Sequence, residues 1–212
     1  MKANLDEPTQ SYAEEFASEG MRHVALLRSV LGADAVPCPQ MDIGTAFAVT
    51  ADAAGGVTLN PPFSPYRNTN SFLLGAFGFE DVTVTAYNGA APLILDREVL
   101  SHATGLMGVA AYHAGVIRSQ LSTRSDHAVQ PYTGTYVADL ADAVAALRGA
   151  IGGGKDAGIT PADGGDGQVL VPVDDDAVVF SRNTDEVLAL VYLGSADVPG
   201  GFFPAGLNGA IR

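Results

Sequence analysis

Two adjacent acids, Glu80 and Asp81, lie within the otherwise uncharged segment 72–82, FLLGAFGFEDV, which has the composition of a buried helix. An ionised carboxylate among apolar side chains is strongly unfavourable unless a cation, a metal ion or a hydrogen-bond donor contacts it. The fold must therefore bring a partner to these acids. Two other predicted helices carry candidates, because each places a histidine, His23 or His113, on an apolar face.

The chain is strongly acidic, with a formal net charge of −13 over 212 residues. Such a charge repels nucleic-acid phosphates and anionic lipid, so we expect no nucleic-acid partner. With 47% hydrophobic and 17% charged residues, the sequence is too apolar to be disordered. The uncharged segment 99–117 is rich in small residues and carries two histidines, which favours a core helix over a membrane span. No targeting signal is evident, and the localisation stays open.

Hydrophobic periodicity predicts three long helices, at about 9–31, 68–89 and 97–121, and shorter helices at 136–149 and 184–193. The few residues between the second and third helices predict that these two are antiparallel neighbours. The segment 32–67 contains Pro61-Pro62 and Ser64-Pro65, and we expect a long loop there. The aromatic tail at 200–204 is expected to pack back on the body.

Several short sequence segments, in the same order along the chain, resemble the ferritin-like domain of plant and bacterial desiccation-related proteins. They are EEFA at 14–17, HVALLR at 23–28, FGFEDVTVTAYNGAAP at 77–92, AYHAGVIR at 111–118 and the closing GGFFPAGLNG at 200–209. The resemblance covers nearly the whole chain. It implies an all-α fold, a ferritin-like helical bundle in which three long core helices are present, with an irregular C-terminal extension. We assign 1–124 to the bundle and 125–212 to an extension packed on it within the same domain.

The resemblance also implies where metal ligands would stand. Members of the family hold two metals with carboxylates and histidines, and their bundle begins with a helix that this chain lacks at its start. Of the expected ligand positions, His23, Glu80 and His113 are retained. The acids expected three residues before each histidine fall at Gly20 and Ala110. Glu19 is a substitute for Gly20 on the same helix, although it points about 100° away around the axis.

Three interpretations of these residues remain. Loss of two bridging carboxylates argues against a dinuclear iron or manganese centre. Two histidines and one glutamate are a set that suits a single iron or zinc ion. The preferred interpretation is a relict polar core without a cofactor, in which Glu80 pairs with His23, His113, Arg28 or Arg118 and Asp81 lies beside it. Arg28, Asp81 and Arg118 are therefore candidate polar-core residues.

By resemblance, the expected function is a non-enzymatic stress-related protein that acts as a protective, scaffolding or binding module. The alternative is a metal-dependent oxidoreductase that uses a residual two-His-one-Glu site with iron, manganese or zinc. Three helices of a four-helix bundle leave an apolar groove open. We expect a protein partner or a second copy of the chain to cover this groove.

Overall fold

The computed structural model describes residues 2–210, and within this range every regular element is helical. The α-helices in chain order are α1 (Glu7–Leu31), α2 (Thr45–Gly55), α3 (Thr69–Ala90), α4 (Arg97–Ser122), α5 (Val137–Ile151) and α6 (Thr184–Tyr192). The all-α prediction is thereby confirmed. The three long predicted helices correspond to α1, α3 and α4, with ends that differ by one or two residues from the expected ones.

Capping residues define both ends of helix α1. The Asp6 carboxylate accepts a hydrogen bond from the Thr9 amide and caps the first turn. Pro8 stands in that turn, where no intrahelical amide donor is needed. Gly32 follows the last residue with a φ of 55°, a left-handed backbone that glycine adopts without strain. The helix therefore starts two residues earlier than its hydrophobic pattern alone indicates.

Helices α3 and α4 form the centre of the molecule as an antiparallel hairpin. Asn68 and Asp96 cap their first turns through side-chain oxygens. A short 3-10 turn, Ala91–Leu93, joins them. The largest core cluster combines buried residues of α3 and α4 with residues of α2, α5 and the adjoining loops, among them Leu73, Phe77, Ile117, Leu121, Val137 and Ile159. The predicted antiparallel pairing of these two helices is confirmed.

Helix α2 corrects the expectation of an unbroken loop between residues 32 and 67. Its sequence, TAFAVTADAAG, contains no proline, because Pro61, Pro62 and Pro65 all lie beyond its end. Alanine-rich segments are intrinsically helical, but this one has a glycine at its start and no side-chain cap. The sequence therefore offers no start signal. The helix is held by packing on α5, with Ala46 and Ala51 buried.

The C-terminal residues fold over the α3–α4 hairpin. Helix α6 begins with a capping box in which Asn183 and Glu186 satisfy each other's backbone amides. The tail packs back, as expected: Phe202 is buried and contacts Phe47 and Phe79 edge to face, at centroid distances of 5.0 and 4.7 Å. The last two residues of the predicted C-terminal extension, 211 and 212, lie outside the described range.

Helix α1 packs less tightly than the other long helices. Within α1, all of which the structure describes, Thr9 is the one fully buried residue. One face of the helix contacts α4, and a neighbouring apolar face is open to solvent, with Met21, Val24 and Leu31 exposed by 70%, 57% and 51%. Across residues 2–210, no helix is both long and apolar enough to span a bilayer, which agrees with the expected absence of a membrane span.

Candidate functional site

The three long helices bring Glu19, Glu80 and His113 together. Helix α1 supplies Glu19, α3 supplies Glu80, and α4 supplies His113. The ring of His113 lies between the two carboxylates: its Nε2 is 2.6 Å from a Glu19 oxygen and its Nδ1 is 3.7 Å from a Glu80 oxygen. The first distance is a strong hydrogen bond, and the second is an ion-pair distance only.

An aromatic side chain closes this site on the α1 side. The ring of Phe16, one helical turn before Glu19, stacks on the His113 ring with a centroid distance of 3.9 Å. His113 is buried, whereas the side chains of Glu19 and Glu80 remain 29% and 25% exposed. Glu80 is therefore not the deeply buried acid that the sequence suggested. Water reaches both carboxylates, and the imidazole is the buried member of the group.

The surroundings of His113 favour its protonated form. Burial of the ring lowers the pKa of His113, but the facing carboxylates of Glu80 and Glu19 outweigh burial and raise that pKa above its ordinary value of 6.5. The group therefore resembles a buried imidazolium held between two acids. When protonated, the ring donates a hydrogen bond to Glu19 through Nε2, and it must lose a proton before a nitrogen can bind a metal.

Two of the expected metal-ligand positions carry no acid in this chain, Gly20 and Ala110. Both nitrogens of His113 face carboxylates. Within residues 2–210, no three His, Cys, Asp or Glu side chains converge in a way that would hold a metal ion. At Gly20 a Cβ would meet open space, so the helix could carry a side chain there but does not. Ala110 is buried in a small apolar cluster with Val84 and Ala114.

Two further predicted site residues lie outside this group. His23 is half-buried on α1 and takes no part in the contacts that the described residues make around His113. Arg28 is exposed, and its guanidinium donates a hydrogen bond to the Val36 carbonyl at 2.9 Å. Arg28 therefore ties the segment after α1 back to the helix, at an exposed position outside the predicted polar core.

Asp81 and Arg118 form the buried ion pair of the α3–α4 hairpin. Nε and Nη2 of Arg118 donate to the two Asp81 carboxylate oxygens at 3.0 and 2.9 Å. The Asp81 side chain is 3% exposed and that of Arg118 is fully buried. This bidentate geometry satisfies both groups away from water. Arg118 thus contacts Asp81 and not its neighbour Glu80.

Three further charged residues, which the sequence did not single out, extend this pair into a network. Arg148 of α5 donates to Asp81 at 2.9 Å and to Asp156 at 2.7 Å. Arg182 donates to the other Asp156 oxygen at 3.0 Å and to the Thr85 hydroxyl at 2.9 Å. Burial lowers the pKa of Arg182 despite the nearby Asp156. Arg148 could have been identified from the sequence by its helical spacing, because it lies in line with Ala141, Val144 and Ala145 on the apolar face of α5.

Comparison with known proteins agrees with this architecture. The family model described as a ferritin-like domain matches residues 1–123. The chain belongs to the ferritin-like domain family. The expected ferritin-like fold class is therefore confirmed. No solved structure gives a significant match.

The similarity to two curated relatives extends beyond the region that the family model matches. The chain is 35% identical over 219 residues to the ferritin-like catalase Nec2 of Nesocodon mauritianus, covering 99% of this chain and 70% of that protein. It is 31% identical over 195 residues to the desiccation-related protein PCC13-62 of Craterostigma plantagineum, covering 88% of this chain and 61% of that protein. The chain thus spans less than two thirds of the second relative, and the expected resemblance to desiccation-related proteins is confirmed.

Proposed function

We propose that this chain is a non-enzymatic, stress-related ferritin-like protein that acts as a protective, scaffolding or binding module. The observation that carries the proposal is the position of His113, whose two ring nitrogens face Glu19 and Glu80. In this arrangement a protonated imidazole supplies the positive charge for the two carboxylates. The similarity to a protein named as desiccation-related supports the stress-related role.

The alternative function is that of a metal-dependent oxidoreductase, with iron, manganese or zinc bound by His23, Glu80 and His113. The specific observation in its favour is the similarity to a protein named as a catalase. The alternative requires His113 to exchange its carboxylate contacts for a metal and His23 to turn toward α3. We place it second because the described side chains need both rearrangements.

Metal analysis separates the two functions. The purified protein is incubated with iron, manganese or zinc, freed of excess metal, and assayed for bound metal and for peroxide decomposition. We expect less than one metal ion per chain and no peroxide decomposition above that of the His113→Gln variant. One or more bound ions per chain, together with peroxide decomposition that His113→Gln abolishes, would show that the alternative is right.

We also propose that a protein partner covers the open face of α1. The exposed apolar residues Met21, Val24 and Leu31 lie along one side of that helix. On the neighbouring α4, a Cβ at Gly105 or Gly108 would meet open space, so a further chain can approach both helices closely. A second copy of this chain is the simplest such partner.

A further inference from the structure

An apolar cavity lies on the side of α3 that faces α2, α5 and α6, away from His113. Its volume is about 50 Å³, several times the roughly 10–15 Å³ that one water molecule needs. Four phenylalanines contribute to its wall: Phe47, Phe63, Phe79 and Phe202. A space with such walls has few partners for water and favours an apolar guest.

Arg148 is the charged residue in this wall. Its side chain is 5% exposed, and its terminal nitrogens are used by Asp81, Asp156 and the Phe77 carbonyl. Its Nε is buried and has no hydrogen-bond partner among the described residues. A buried donor without an acceptor is costly, and native proteins satisfy the great majority of such groups. The residue that carries this unsatisfied donor is thus one of those that line the apolar cavity.

The net charge of the ion-pair network that includes Arg148 also favours a negatively charged hydrogen-bond acceptor. Three buried arginines, Arg118, Arg148 and Arg182, share two buried aspartates, Asp81 and Asp156. The nearby Lys155 and Glu186 pair with each other at 2.8 Å and leave the balance unchanged. The network thus holds one more positive than negative side chain. An added carboxylate would both satisfy the Nε donor and balance this charge.

A groove next to the cavity provides room for a chain attached to that carboxylate. It runs between α3 and α6, has a volume of about 340 Å³, and shares Phe79, Val82 and Val191 with the cavity wall. Its other wall residues include Ala86, Tyr87 and Val187. The cavity holds only about 50 Å³ and continues into the larger apolar groove, so an unbranched chain that passes from one into the other suits the two spaces.

We propose that this cavity binds an aliphatic monocarboxylate, with the carboxylate at Arg148 Nε and the alkyl chain along the α3–α6 groove. The guest is a fatty acid of short or medium length. Binding requires no metal and none of the residues around His113. It is therefore a property additional to the proposed protective role and independent of it.

Calorimetric titration with octanoate tests the proposal, and octan-1-ol is the matched probe without a charge. Octanoate should bind saturably to one site, and octan-1-ol at least tenfold more weakly. In Gly78→Leu, whose new side chain enters the cavity from a position where a Cβ meets nothing within 4 Å, octanoate affinity should fall at least tenfold. Gly105→Leu makes the same change on exposed α4, outside the cavity, and should bind as the wild type does.

Three outcomes would overturn the proposal. Absence of saturable octanoate binding to the wild type would show that the cavity takes no such guest. Equal affinities for octanoate and octan-1-ol would show that Arg148 does not recognise the head group. Wild-type affinity in folded Gly78→Leu would place the site elsewhere. The comparison of probes uses the wild type alone, so the test stands even if that variant fails to fold.

Discussion

The Asp81 carboxylate is held by Arg118 from α4 and by Arg148 from α5, so one buried acid joins three helices. Its immediate neighbour Glu80 is half-exposed and contacts His113 instead. Adjacent positions on a helix point about 100° apart, so the two acids face different parts of the fold. The acid that the fold depends on is therefore Asp81.

Replacing Asp81 tests this assignment. Asp81→Asn leaves two buried arginines with one charged partner fewer, and breaking a buried pair from one side costs about 3–5 kcal/mol. Glu80→Gln is the matched control, since its half-exposed carboxylate should contribute at most about 1 kcal/mol. The measurement is the free energy of unfolding in urea. Equal losses in the two variants would contradict the assignment.

The stability of the protein should depend on pH through His113. Because the folded-state pKa of His113 is raised above 6.5, the folded protein binds this proton more tightly than the unfolded chain does. The resulting stabilisation is complete below about pH 6.5 and is lost as the pH rises through the folded-state pKa. Urea unfolding across this range should show a smaller decline in His113→Gln. Parallel pH profiles would contradict a raised pKa.

Gly89 should tolerate no side chain. A Cβ built there would overlap the backbone carbonyl of Arg182. The backbone of Arg182 is held close to α3 because its amide donates a hydrogen bond to the Thr85 carbonyl. Gly89→Ala should therefore destabilise the protein by about 1–3 kcal/mol. At Gly108 of α4 the same change meets open space and should gain roughly 0.5–1 kcal/mol from helix propensity. Thermal melts of the two variants should shift in opposite directions.

Gly20→Glu should increase metal binding. The change adds a carboxylate one turn before His23, at a position where the Cβ has room. We expect zinc affinity at least tenfold above that of the wild type. Gly105→Glu adds the same charge at an exposed position of α4 and should have no such effect. Equal zinc affinities in the two variants would show that a carboxylate at position 20 and His23 do not bind zinc together.

Val24→Asp should disrupt association through α1. The side chain of Val24 is 57% exposed on the apolar face of that helix, and a charge there opposes burial against a partner. Light scattering should give a mass above 21.7 kDa for the wild type and close to it for the variant. Leu95→Asp changes a residue that is 94% exposed outside α1 and should leave the mass unchanged. A wild type that stays monomeric across the micromolar range would contradict self-association.

The parts of the fold that were predictable are those with long hydrophobic periods. Helices α1, α3 and α4 each carry such a period together with a cap or a terminating glycine. Helix α2 ends at a left-handed glycine, Gly56, but it has no long hydrophobic period and no side-chain cap at its start, and it is defined by its contacts with α5. In the site, Glu19 was predicted only as a substitute for Gly20, because it points about 100° away from that position around the helix axis. It reaches His113 because α1 presents Phe16 and Glu19, and not His23, to α4.

The network around Asp81 has a consequence for where the chain can be divided. The family model ends at residue 123, yet Arg148, a partner of Asp81, lies 67 positions further along the chain than that acid. The guanidinium of Arg118 also donates to the carbonyls of Ala157, Gly158 and Val169. A fragment that stopped near residue 124 would have to solvate a buried acid and a buried guanidinium through a newly exposed face. We therefore expect the bundle helices and the residues after them to unfold together.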